Sequence, residues 1–226
     1  MQQIWKDLLF LHYRIQFDLL RKLVPSRLEL DQYNNECWIS ITPFKMRKVR
    51  LRVFLPIPTT YNFLELNLRT YVKHNGRPGI YFFSLDASST IAAMVARIAS
   101  LPYFRASMSI EDKNNHFNFE SYRKGSAKTP ADFKVDYNPH SEPFLAPEGT
   151  LNHWLVERYC LYQTTKTNKI VTIDIHHLPW KLQNANAEIS TNSLIEAMGI
   201  QISPQQPIAQ FAKYQKVLVW PLRFVT

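Results

Sequence analysis

The residues best able to do chemistry lie in one stretch, Phe63–Val72, which reads Phe-Leu-Glu-Leu-Asn-Leu-Arg-Thr-Tyr-Val. Strict alternation places Glu65, Asn67, Arg69 and Tyr71 on one face of a strand, and Leu64, Leu66, Leu68 and Val72 on the other. A carboxylate on such a face can position a ligand or move a proton. A guanidinium can clamp a carboxylate or phosphate through two parallel hydrogen bonds. Asn67 and Tyr71 can hydrogen-bond a ligand or satisfy buried backbone. Glu65 and Arg69 stand about 13 Å apart between Cα atoms by strand rise, so they do not pair along the strand. Each needs a cross-strand partner, a ligand or water. Such a row is the wall of a ligand-lined interior or a set of ion pairs that fixes strand register. The residues alone leave both readings open.

Many short strands must position this face. Apolar and aromatic residues in Trp5–Ile15 predict a first strand around Leu9–Ile15. Asp18–Val24 reads as a short helix ended by Pro25. Leu28–Asp31 and Cys37–Pro43 read as a hairpin about Asn34-Asn35, and Lys48–Leu55 as a strand ended by Pro56. Asn75-Gly76 is a turn that returns Gly79–Leu85 against the polar strand. In Ser88–Leu101, apolar residues recur at helical spacing after a serine cap. Arg97 lies near the C-terminal end of that helix, where its charge suits the dipole and also allows a ligand role. Ser107–Glu111, His116–Tyr122 and Phe133–Tyr137 read as a meander. Leu151–Arg158 is a helical turn, Tyr159–Gln163 and Ile170–His176 a hairpin, Asn192–Met198 a short helix ended by Gly199, and Lys216–Phe224 a closing strand. With no βαβ rhythm, the chain is expected to be one α+β, mainly β domain over residues 1–226: an antiparallel β-barrel with a few short helices.

Bulk properties narrow the function classes. The chain has 226 residues, a net charge of +9 and two cysteines. The densest basic stretch, Lys45–Arg52, comes without helix-turn-helix, zinc-finger or RNA-binding patterns, so no nucleic-acid partner is expected, and Lys45 reads as part of a solvated basic strand edge. Cys37 and Cys160 lack Cys-x-x-Cys spacing and read as reduced buried thiols. No signal pattern or membrane-length apolar window appears, so a cytoplasmic location is expected. Neighbouring residues on a strand diverge. His176 and His177 therefore do not share a metal, and Glu157 with Tyr159, or Arg158 alone, would face one side. No metal or cofactor is expected, and no phosphate loop, nucleophile elbow or zinc-protease motif is present.

Eight stretches in order resemble the YqjF-like bacterial family of conserved proteins: Leu8–His12, Trp38–Phe44, Glu65–Val72, Gly79–Ala87, Ala96-Arg97, Leu101–Met108, Glu157–Tyr162 and His177–Trp180. That family is similar in turn to acetoacetate decarboxylase. The resemblance implies an antiparallel β-barrel or cone around a small-molecule cavity. In the decarboxylase a lysine of a Gly-x-Pro-Lys-Lys segment forms a Schiff base with a keto acid, its pKa depressed by burial and a neighbouring lysine. Here the segment is Leu101-Pro102-Tyr103-Phe104. Arg97 matches the upstream arginine, Ile98 replaces the glutamate after it, and Glu65 matches an acidic cavity residue. The resemblance therefore implies a small anionic or carbonyl-containing ligand and excludes lysine-dependent decarboxylation. Any turnover would be lyase-like or general acid–base chemistry by Glu65 and Tyr103, with Asn67, Arg69, Tyr71 and Arg97 binding the ligand. The contrasting reading is a non-catalytic sensor or interaction module with a structural polar strand. Related decarboxylases form oligomers, which leaves a homo-oligomer open.

Overall fold

The computed structural model describes residues 1–50, 62–90, 101–124, 131–165 and 167–225. In chain order the strands are β1 (Gln2–Ile15), β2 (Glu29–Leu30), β3 (Cys37–Arg50), β4 (Asn62–His74), β5 (Arg77–Ala87), β6 (Tyr103–Lys113), β7 (His116–Arg123) and β8 (Asp132–Pro139). They continue as β9 (Phe144–Leu145), β10 (Cys160–Thr164), β11 (Ile170–His176), β12 (Lys181–Asn192), β13 (Ile208–Val219) and β14 (Arg223–Phe224). Helix α1 spans Phe17–Arg21, α2 spans Leu151–Val156, and a 3-10 turn covers Glu196–Met198.

The strands join in one large twisted mixed sheet, ordered β14-β11-β10-β5-β6-β7-β8-β12-β13-β1-β3-β4-β2. β9 pairs with β12, and β4–β5 and β11–β13 pair in addition. The all-antiparallel expectation is corrected at β5, which runs parallel to both β6 and β10. Tight turns link only antiparallel neighbours, whereas parallel ones need a long connection, and long connections precede both β6 and β10. The mainly β expectation is met by this large twisted mixed sheet, in which β4 also pairs with β5.

Asparagine turns set several hairpins. Asn75 and Gly76, both at positive φ, join β4 to β5, and Asn114-Asn115 join β6 to β7. Asn34 and Asn35 also turn at positive φ, yet the hairpin expected around them does not form. Only Tyr33 and Glu36 bridge there, β2 pairs with β4, and β3 pairs with β1 and β4. The helix expected over Asn192–Met198 shrinks to the 3-10 turn before Gly199 at φ 77°. The closing strand is two strands interrupted around Pro221. Strand β12 was not anticipated. Its polar alternation buries little beyond Leu182, so no apolar run marks it. The helix expected over Ser88–Leu101, with Arg97, lies mostly outside the described residues, as do residues 51–55 of the expected Lys48–Leu55 strand.

Strands β1, β3 and β4 lie between two apolar clusters. On one side Leu9, Leu11, Ile39, Ile41, Leu66 and Leu68 pack with Phe119, Phe133 and Val135. On the other, Leu8, Phe10, Trp38, Phe44, Phe63 and Tyr71 pack with Phe82, Leu155 and Trp180. Trp5 and Leu8 pack into the same cluster although three residues apart. The residue that shifts the phase is Asp7, at φ 51°, where the β1–β3 register slips. Its carboxylate pairs with Lys45 at 2.8 Å and Lys213 at 3.1 Å. Lys45 is therefore a largely buried ion-pair partner and not part of a solvated basic edge. Cys37 and Cys160 are buried free thiols.

At the β5–β10 junction, Gly79 is packed so closely that a Cβ would stand 2.7 Å from the Cys160 carbonyl oxygen and 2.7 Å from the Tyr162 ring. The backbone oxygen cannot swing away. Gly79→Ala is expected to cost about 1–3 kcal/mol, measured as a lower urea midpoint at unchanged m value.

Candidate functional site

The polar face of β4 points into the second apolar cluster and is buried along its length: Glu65 is 3% exposed, Asn67 6%, Arg69 8% and Tyr71 0%. The opposite face packs Leu66, Leu68 and Val72 into the first cluster. The polar row is thus interior wall. Register supplies its neighbours: Arg69 lies opposite Ser40 on β3, Ser40 opposite His12 on β1, Thr42 opposite Asn67, and Phe44 opposite Glu65.

Two groupings emerge along the row. At one end the Tyr103 hydroxyl donates to Glu65 Oε2 at 3.0 Å, so the two residues expected to act together do meet. Burial raises the Glu65 carboxyl from 4.5 to about 7, against the hydrogen bonds from Tyr103 and Asn67, with the Asp86 charge adding to the rise. Burial and the facing carboxylate push the Tyr103 phenol well above its ordinary value. This pair can exchange one proton near neutral pH while the phenol stays protonated. Asp86, buried nearby, is held by a two-point bond to Arg123, at 2.7 and 3.0 Å.

At the other end lies Arg69. Its Nε and Nη2 have no hydrogen-bond partner, and its guanidinium sits 5.4 Å from the Phe10 ring centre. Burial lowers its pKa, and the charged neighbours that act on it are Tyr71 and Arg158. Arg158 has a carboxylate partner: Nη1 reaches Asp31 Oδ2 at 2.6 Å and its plane covers the Trp154 and Tyr71 rings, while its Nη2 has no hydrogen-bond partner. Asp31 also takes Lys73 at 2.7 Å. Arg158 is therefore the buried salt-bridge residue of its segment. Glu157 instead accepts from the Tyr159 hydroxyl and the Trp180 backbone N–H.

Two residues of this end were missed by sequence reasoning. His12, 1% exposed, places Nδ1 3.1 Å from the Tyr71 hydroxyl, while its Nε2 has no partner. Burial and the Arg69 charge drive its pKa down from 6.5 to about 3, against a nearby Gln210 amide, so the ring is neutral. Gln210 is fully buried, with neither side-chain atom bonded. The available signal was polar residues interrupting apolar β1 and β13, which periodicity alone reads as noise. Arg97 lies outside the described residues. Two surface clefts of about 750 and 530 Å³ lie elsewhere, along β12 and the segment before β13.

This mixed β sheet has the acetoacetate decarboxylase-like fold. It is shared with the enduracididine biosynthesis enzyme MppR complexed with pyruvate (TM-score 0.70, 12% identity, covering 100% of this chain and 90% of that one). An acetoacetate decarboxylase-like enzyme from Sphingomonas wittichii RW1 (0.66, 10%, 99% and 92%) shares it too. So does acetoacetate decarboxylase from Legionella pneumophila (0.63, 12%, 100% and 87%). The chain belongs to the family DUF2071, an uncharacterized conserved protein family, which matches residues 2–216. It is 49% identical over 224 residues to the uncharacterized protein YqjF of Bacillus subtilis (strain 168), covering 99% of this chain and 91% of YqjF.

A carboxyl raised from 4.5 to about 7 makes stability depend on pH with a defined sign. The folded state binds the extra proton, so this contribution is full below pH 4.5 and is lost as pH rises through 7. Glu65→Gln keeps an acceptor for Tyr103 but does not titrate. Its melting temperature is expected to gain on wild type between pH 5 and 8, by an amount approaching about 3 kcal/mol, and then level off. Parallel melting curves for the two proteins across that range would exclude a buried, titrating Glu65.

Proposed function

We propose that this protein binds a small organic molecule carrying a carboxylate or a carbonyl, in an interior enclosed where β4 pairs back onto β5. The observation that carries this reading is the buried guanidinium of Arg69, with Nε and Nη2 unpartnered. An unpaired interior charge costs several kcal/mol, and a bound anion offsets that cost. MppR, which shares the fold, has been seen with pyruvate, a compound of the same chemical class.

Any reaction would run without a Schiff base, because Tyr103 and Phe104 stand where the decarboxylase carries its lysines. Glu65 and Tyr103 supply what remains: a carboxyl poised near neutrality that can give a proton to a carbonyl oxygen or take one from an adjacent carbon. Tyr103 holds and polarises that carboxyl through the 3.0 Å hydrogen bond. Asn67, between the two ends of the row, has a free Oδ1 for a ligand donor.

Calorimetric titration with pyruvate and acetoacetate tests the reading. Arg69→Gln is expected to weaken binding by at least roughly tenfold, the effect of a charge-assisted hydrogen bond of about 1.5–3 kcal/mol. Unchanged affinity would remove Arg69 from the site. If NMR shows turnover of either compound, Tyr103→Phe is expected to slow it by about 10²-fold or more, with binding nearly intact.

A further inference from the structure

Donors outnumber acceptors among the unsatisfied groups around Arg69, where Gln210 Oε1 and Asn67 Oδ1 are the unpartnered acceptors. Arg69 Nε and Nη2, His12 Nε2, Ser40 Oγ and Gln210 Nε2 are all buried without a hydrogen-bond partner, and each can donate. They come from four consecutive strands of the sheet, β13, β1, β3 and β4. His12 faces Ser40, Ser40 faces Arg69, and Gln210 lies opposite Phe10, the next residue along the same face from His12. Native interiors rarely leave one such donor unmet, and here several gather in one row.

The donor character of His12 follows from its other edge. The positive charges of Arg69 and Arg158 act on the buried Tyr71 phenol, and among the described residues His12 Nδ1 is the hydrogen-bond partner of its hydroxyl. Tyr71 therefore turns its own proton toward His12 Nδ1, 3.1 Å away. Nδ1 is then an acceptor, and the ring proton sits on Nε2, the edge without a partner. Burial and the Arg69 charge keep the ring neutral. Arg158, the other cation against Tyr71, is already paired with Asp31, which it shares with Lys73. Among the described residues, Arg69 is thus the cation of the row without a carboxylate partner.

We infer that His12, Ser40, Gln210 and Arg69 form a carboxylate subsite selective for monoanions, with Tyr71 as the positioning residue that holds the His12 proton on Nε2. This rests on the small-molecule reading above and names the charge class of its ligand. A single carboxylate brings acceptors only and balances one guanidinium. A phosphate or dicarboxylate would carry an extra negative charge into a low-dielectric interior where, among the described residues, no second cation lacks a carboxylate partner.

Two measurements on the full chain test the inference. Long-range nitrogen–proton NMR of the histidines reports the His12 tautomer directly. The Nε2–H form is expected, and a proton on Nδ1 overturns the inference. Titration at pH 7.5 with pyruvate, malonate and inorganic phosphate then compares wild type with Tyr71→Phe and Gln210→Leu, each first checked for an intact cooperative melt. Pyruvate is expected to bind at least roughly tenfold more tightly than malonate or phosphate, and each substitution to weaken pyruvate several-fold. Arg69-dependent pyruvate binding that phosphate matches, or that both substitutions leave unchanged, overturns the monoanion subsite and keeps the small-molecule reading. Failure of every carboxylate and carbonyl compound to bind wild type overturns both.

Discussion

Charge inside a doubly covered sheet is the constraint on which the rest of the structure depends. Strands β1, β3 and β4 are packed on both faces, so every polar side chain they carry must be satisfied without bulk water. Most are. Asp7 takes two lysines, Asp31 takes Arg158 and Lys73, and Asp86 takes Arg123. Glu65 meets the demand differently, with its pKa raised to about 7 so that it takes up a proton near neutral pH, and His12 by staying unprotonated. Arg69 has neither a carboxylate among its described partners nor an accessible neutral form.

The paired charges also organise the fold around the unpaired one. The Asp7 bulge sets which residues of β1 turn toward Arg69. Without its phase shift, Phe10 and His12 would not share a face with Trp5. Two lysines hold that bulge, and the Tyr137 hydroxyl donates to the Asp7 carbonyl at 3.1 Å, which ties it to the meander. The Arg158–Asp31 pair anchors the end of α2 against the loop before β3. It also lays a guanidinium over Tyr71, the phenol that bonds His12. Ion pairs that appear merely structural thus fix the orientation of the groups left free.

The row divides by chemistry. At the Glu65 end, a carboxyl and a phenol share a proton through one hydrogen bond. At the Arg69 end, donors converge from four strands. An interior that is acid–base at one end and donor-rich at the other suits a molecule with a carbonyl and a single negative charge. Tyr103 fits that division. A phenol forms no imine, but it can hold a carboxyl in position and donate to an oxygen.

Much of this was legible in the residues. Alternation in Phe63–Val72 determined which side chains share a face. The Asn75-Gly76 turn determined the β4–β5 hairpin, and the order of short motifs determined the family. These are local properties, set by the period of a strand and the steric demands of positive φ. Only the tertiary structure decided the rest. Whether Asn34-Asn35 joined two paired strands depended on a competition that β4 won for β2. The two parallel pairings at β5 depended on long connections that carry no local code. His12 and Gln210 became site residues because register, set by bulges and distant pairings, brought them beside Arg69. Sequence determines what a side chain is and which face of its strand it takes. Which residues face it across the sheet, and hence which polar groups remain unsatisfied, is a property of non-local pairing alone.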